Sequence, residues 1–147
     1  MRKAMKTAMN DKSLIIDLDG TLTIDDDLPY IDKRPNLPLI ERLREYKAQG
    51  FSIVIFTSRA MRSYKGDIEK IRANTLPTIL EWLKKHSVPF DSVIVGKAWC
   101  GFSGFYVDDR AIRPSEFVNL SLDQISELLA KEKQINAQIS PDSKESK

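Results

Sequence analysis

The stretch Leu14-Ile15-Ile16-Asp17-Leu18-Asp19-Gly20-Thr21-Leu22-Thr23 constrains this chain more than any other. A short aliphatic, β-branched run stops on two carboxylates spaced i, i+2, and a Gly-Thr step follows at once. Runs of this kind suit a strand buried on both faces, as in a parallel sheet. Side chains two apart on an extended chain point the same way, so Asp17 and Asp19 are expected to emerge together at the strand's C-terminal end. Gly20 lets the backbone turn sharply without a Cβ penalty. In open α/β sheets, ligands bind beyond the carboxyl ends of the strands. Two adjacent anions there repel each other, and a cation, most simply a divalent metal, is expected to hold them.

The rest of the chain repeats the pattern of strand followed by helix. Pro29 and Pro35 keep the segment after the first strand irregular, and its acidic triplet Asp25-Asp26-Asp27 reads as a solvated loop. Asn36 is the expected N-cap of a helix with Leu39, Ile40, Leu43 and Tyr46 on one stripe, ended by Gly50 as its C′ residue. Residues 51–56 form the second expected strand, ending on Thr57-Ser58-Arg59. Residues 60–73 read as a polar, basic loop. Asn74 is expected to cap a helix with the stripe Leu76, Ile79, Leu80, Leu83. Residues 92–95 form a third strand running into Gly96-Lys97, and residues 105–107 a fourth, ending on Asp108-Asp109-Arg110. A weak fifth is expected over 116–118. Ser121 and Gln124 make a capping box for a last helix with Ile125, Leu128 and Leu129 facing the core. This alternation argues for an α/β fold, a three-layer parallel sheet with helices on both faces. Its polar residues cluster just past four strand ends.

Composition narrows the functional classes. The 147 residues suit one domain, expected over 13–131, between a flexible extension over 1–12 and a disordered tail over 132–147. A formal net charge of +2 is too small to argue for nucleic acid or an anionic membrane. One cysteine, Cys100, excludes an internal disulfide and fits the cytoplasm. No apolar run reaches the roughly 18 residues of a membrane span. With a single histidine, His86, a zinc site or a Ser-His triad is nearly excluded.

Carboxylate pairs, a hydroxyl and an ammonium at one end of a sheet suit a site for metal and phosphate. Mg²⁺ favours a few carboxylates with water and phosphate oxygens. A hydroxyl and a lysine can donate to a transferring phosphoryl group, and a carboxylate can attack phosphorus. In this setting Asp17-Leu18-Asp19-Gly20-Thr21 resembles the first motif, D-x-D-G-T, of the haloacid dehalogenase (HAD) superfamily. The resemblance implies that Asp17 is the nucleophile and Asp19 the general acid/base. Thr57 matches the second motif, the phosphoryl-binding hydroxyl, with Ser58 as the alternative one residue on. Lys97 matches the third. Asp108-Asp109 matches the fourth, the acidic pair that holds Mg²⁺ with Asp17 and the backbone carbonyl of Asp19. The similarity covers about residues 13–129 and implies the strand order 5-4-1-2-3. The stretches IDLDGTLT, IFTSR, NTLPTILEWL and VGKAWCGFSGFYVDDRAIRPSEF are more closely similar to small bacterial phosphatases of capsular polysaccharide biosynthesis.

Two departures stand beside the resemblance. The segments 22–51 and 59–92 each hold a loop and one helix and neither holds the cap domain that usually covers such a site; capless members act on larger substrates or close the site with a neighbouring subunit, so a homo-oligomer is the expected partner. Only seven residues link Lys97 to the fourth expected strand, which leaves no room for a helix. Arg59 and Arg110, adjacent to motif residues, are the arginines expected to bind a further anionic group of the substrate, ahead of Arg62 and Arg113. Tyr64 and Trp99 read as packing residues. The expected activity is Mg²⁺-dependent hydrolysis of a small phosphorylated metabolite, a sugar phosphate. A polynucleotide 3′-phosphatase shares the motifs but is disfavoured by charge. A phospho-accepting receiver module carries its acidic pair first and its phosphorylated Asp third, the reverse of this order.

Overall fold

The computed structural model describes residues 10–139, and what was expected of 1–9 and 140–147 lies outside them. The chain divides into two compact units, Met1–Gly101 and Phe102–Lys147. The first holds β1 (Ser13–Ile16), α1 (Leu37–Ala48), β2 (Ser52–Thr57), α2 (Ile68–Asn74), α3 (Leu76–Lys85) and β3 (Ser92–Val95). Its strands form a parallel sheet in the order β1-β2-β3. Ile16 lies opposite Ile55, and Thr57 opposite Val95, so the carboxyl ends of all three strands lie at one edge. The fold is therefore α/β with a parallel sheet.

One sheet face is the core. Ile16, Ile53, Ile55 and Val95 are buried, together with Leu39, Ile40, Leu43 and Tyr46 of α1, Ile71 of α2 and Ile79, Trp82 and Leu83 of α3. On the other face Ile15 is 57% and Ile94 49% exposed, which departs from the expectation of burial on both faces. β1 and β3 are short edge strands among the described residues, so alternation, rather than a continuous apolar run, decides what they bury.

Local signals set the helix ends. The Asn36 side chain accepts from the Leu39 N–H, and its N–H donates to the Leu22 carbonyl, tying the start of α1 to the turn after β1. Gly50 sits at φ +95° as the expected C′ residue. The basic segment 60–73 is only partly irregular: Asp67 caps α2, and Asn74 is the last residue of α2 rather than the cap of α3, a role that falls to Thr75. On α3 the large apolar residue turned inward is Trp82, while Leu80 is 40% exposed. At 3.6 residues per turn the two stand about 160° apart around the axis, so the buried face is turned from the expected stripe towards Trp82. Asp91 clamps the sheet: its carboxylate accepts from the Ile53 N–H at 2.7 Å and from Lys47 Nζ at 2.6 Å.

The second unit holds α4 (Pro114–Asn119) and α5 (Leu122–Ala137). The fourth and fifth strands expected from sequence are absent among the described residues. Residues 105–107 belong to no strand, with Phe105 79% and Val107 89% exposed, and 116–118 lie within α4. β-branched and aromatic composition favours an extended chain, but a strand needs a ladder to join, and Pro114 at N1 with Glu116 bonding back to the Arg113 N–H starts a helix instead. The capping box of Ser121 and Gln124 forms as expected. Helix α5 continues to Ala137, past the expected domain end, and of its three predicted core residues Ile125 is buried while Leu128 is 38% exposed.

Candidate active site

The turn after β1 is built on a single carbonyl. Leu18, itself buried, accepts from the N–H groups of Thr21, Leu22 and Thr23 at 3.3, 2.9 and 3.1 Å. Gly20, at φ +79°, makes the reversal, and its N–H donates to Thr23 Oγ1 at 3.1 Å. Leu22, fully buried, anchors the turn to the core. The result holds Asp17, one residue past β1, in a fixed place.

Asp17 Oδ2 accepts from the Thr21 hydroxyl at 3.2 Å, and Oδ1 lies 3.5 Å from Lys97 Nζ. Lys97 arrives from β3: its N–H donates to the Thr57 carbonyl at 3.1 Å, one step past the β2–β3 ladder. Gly96, at φ +92°, turns the chain there, and a Cβ at this position would come within 2.5 Å of Ile68 Cδ1. The structure thus brings together Asp17 and Lys97, two residues singled out in the sequence, and adds Thr21, whose hydroxyl the D-x-D-G-T spacing places four residues after Asp17.

Asp19 faces a different cation. Its carboxylate accepts from Arg59 Nε at 2.9 Å and Nη2 at 2.7 Å. The Arg59 side chain is 1% exposed against 34% for that of Asp19. The guanidinium lies over the ring of Tyr30, 4.0 Å from its centroid. Expected to reach a substrate anion, Arg59 instead is buried on Asp19. Thr57 is 1% exposed and accepts the Arg59 N–H at 3.1 Å; Ser58 is half-buried. The two carboxylates of the first motif thus meet different side-chain cations: β3 supplies a lysine to Asp17 and the end of β2 an arginine to Asp19. Among the described residues no third carboxylate, histidine or cysteine joins them in a cluster able to hold a metal ion.

The acidic loop is more ordered than its composition suggested. Its base is closed by the Ile24 N–H to the Arg34 carbonyl at 2.8 Å and by pairing of Thr23 with Pro35. Asp26 pairs with Lys33 and Arg34, and Trp82 Nε1 donates to the Lys33 carbonyl at 2.8 Å, fastening the loop to α3. This loop and Asp19 line a cleft of 410 Å³, with Asp25, Asp27, Leu28 and Tyr30 on its walls. Tyr30 is the residue that sequence reasoning missed; an isolated tyrosine after a proline carries no local signal of its role.

Asp108, Asp109 and Arg110 are exposed residues of the second unit. There Asp108 Oδ1 accepts from the Arg110 N–H at 2.9 Å, a local turn contact. No described helix is long and apolar enough to cross a membrane.

No protein-family model and no curated protein matches the chain. Among solved structures, a chain of the Pnkp1/Rnl/Hen1 complex aligns over 74% of this chain and 34% of its own length, with 21% identity and a TM-score of 0.43. A structural-genomics target from Vibrio cholerae, solved by crystallography, is 55% identical, with a TM-score of 0.81 over 82% of this chain and 98% of that one. At that identity and coverage, this chain belongs to the same family as the Vibrio cholerae protein.

Proposed function

We propose that the protein is a phosphomonoester hydrolase of the HAD type, without a cap domain, that works through an aspartyl-phosphate on a small phosphorylated metabolite such as a sugar phosphate. The observation that carries this reading is the arrangement around Asp17: a carboxylate just past a parallel strand, steadied by a hydroxyl on one oxygen and facing an ammonium on the other. An oxygen nucleophile beside a fixed cation suits attack on phosphorus, because the cation offsets the charge that gathers there.

In the proposed reaction Asp17 attacks phosphorus and the bond from phosphorus to the leaving oxygen breaks. Asp19 gives that oxygen a proton. Water then attacks the phosphorus of the aspartyl-phosphate, passes its proton to Asp19 and releases inorganic phosphate, regenerating the Asp17 carboxylate and the acid form of Asp19. Thr57, with Ser58 beside it, and Lys97 are the groups proposed to bind the phosphoryl oxygens, and Arg110 remains a proposed substrate contact. The resemblance assigns Mg²⁺ to Asp17, the backbone carbonyl of Asp19 and the Asp108-Asp109 pair. The Asp17 carboxylate, hard, anionic and one-third exposed, is a donor of the kind that ion takes. Bound there, Mg²⁺ would offset the charge of the phosphoryl group. The acidic walls of the cleft beside Asp19 favour a leaving group without further negative charge, which argues for a sugar over a polynucleotide.

The test is hydrolysis of an aryl phosphate by the purified chain with Mg²⁺. Asp17→Asn is expected to lower the rate at least about a thousandfold with an unchanged thermal melting curve. Full activity in that variant would remove the proposal.

A further inference from the structure

We infer that Arg59 is a positioning residue: it fixes the Asp19 carboxylate at the edge of the cleft, and the ring of Tyr30 fixes Arg59. The inference rests on the phosphatase reading for what Asp19 does, and concerns how Asp19 is held there.

The geometry is that of a clamp. Two parallel N–H groups of one guanidinium grip both oxygens of one carboxylate, which sets the orientation of its plane as well as its distance. Arg59 is in turn fixed at its side chain and at its backbone. Its guanidinium lies over the Tyr30 ring, where the ring's electron-rich face attracts the cation. Its backbone N–H is bonded to Thr57 Oγ1 at the end of β2. The next residue, Ala60, turns at φ +70°, a left-handed conformation that costs an alanine roughly 1 kcal/mol or more.

Burial separates this role from substrate binding. The Arg59 side chain is almost wholly covered, and its third nitrogen, Nη1, is buried without a hydrogen-bond partner. Two of its three nitrogens are spent on Asp19, and the third is out of a ligand's reach. Covering a cation with a donor unpaired is costly, and an apolar side chain would fill the same space at less expense. What the charge adds is a carboxylate that cannot rotate away. Asp19, by contrast, stays one-third exposed and lines the cleft. The pair thus has a closed end that holds and an open end that acts.

The consequence is selective. A residue that acts through the proton donor matters where the leaving oxygen needs a proton and little where it does not. The test measures leaving-group release in the first turnover, with a nitrophenyl phosphate, whose phenolate departs without a proton, and with glycerol phosphate, whose alkoxide does not. Arg59→Ala is expected to slow release of glycerol about a hundredfold, within the usual range for losing general acid catalysis, and nitrophenolate less than about fivefold, with KM for both within about twofold. Arg59→Lys, which keeps the charge and loses the two-pronged grip, is expected to recover only part of the glycerol rate. Tyr30→Ala is expected to shift the ratio the same way by less. In an Asp19→Asn background, Arg59→Lys is expected to leave the ratio unchanged, because the two act as one unit.

An equal fall for both substrates with a raised KM would make Arg59 a substrate-binding residue and overturn the inference, as would an unchanged ratio in Arg59→Lys. Asp17→Asn run in parallel keeps the two readings apart. If it abolishes turnover while Arg59 variants fail to discriminate, only the positioning role is lost; if it remains fully active, both are lost.

Discussion

At the scale of single residues, the first motif works by separating two carboxylates that its spacing brings close. Sequence brings the two together, and the chain supplies a different side-chain cation to each, Lys97 to Asp17 and Arg59 to Asp19. Spacing fixes which residues leave a strand together, but not which side chains turn to meet them. That depends on what arrives from strands far away in the sequence. Thr21 shows the local part of the design. Thr21→Val, which keeps the shape and deletes the hydroxyl bonded to Asp17, is expected to lower the turnover of an aryl phosphate by roughly tenfold, the effect of about 1.4 kcal/mol, without moving KM by more than twofold. Steady-state kinetics on the two proteins checks this.

At the scale of elements, the strand ends matter more than the strands. Gly96 is where β3 stops and Lys97 is aimed. Gly96→Ala would meet both an unfavourable φ and the Ile68 side chain, so a loss of about 1–3 kcal/mol is expected, read by urea unfolding, together with reduced activity as Lys97 shifts. The Asp91 clamp is a second such device. Burial pushes its carboxyl up, but the Lys47 ammonium and the Ile53 N–H outweigh that and hold it below the ordinary aspartate value. With the folded-state value below the unfolded one, the clamp stabilises in full above about pH 4 and its contribution disappears as pH falls through the lowered value. Asp91→Ala is expected to cost about 2 kcal/mol at neutral pH and progressively less in acid, measured as the difference in melting temperature from pH 7 to pH 3.

At the scale of the whole molecule, the three strands, the first helix and its caps were legible because each rests on short-range signals: apolar runs, an Asn cap, a Gly stop. Less legible were the features decided by distant partners. Residues 105–107 have the composition of a strand and join no ladder, and Asp26 looks solvated yet is the internal counter-ion of Lys33 and Arg34. Trp82 matters in two ways that a helical stripe does not convey, holding the acidic loop through Nε1 and meeting the tilted ring of His86 with centroids 4.6 Å apart. Burial, then the nearby Lys85 charge, lowers the His86 value. Its neutral form is therefore favoured by folding, and stability falls as pH drops below about 6.5. The melting temperature of the protein is expected to decline between pH 7 and pH 5, and to decline less in His86→Phe.

The closed base of the acidic loop has a further consequence. Because Thr23 pairs with Pro35 and Ile24 bonds to Arg34, the residues between them hang from a fastened neck, and changes in their number or identity need not reach Asp17. Such a segment is an exchangeable cassette: so long as Tyr30 keeps its place on Arg59, relatives, or an engineer, can lengthen, shorten or recolour the rest to retune what the cleft accepts while the reacting groups stay where they are.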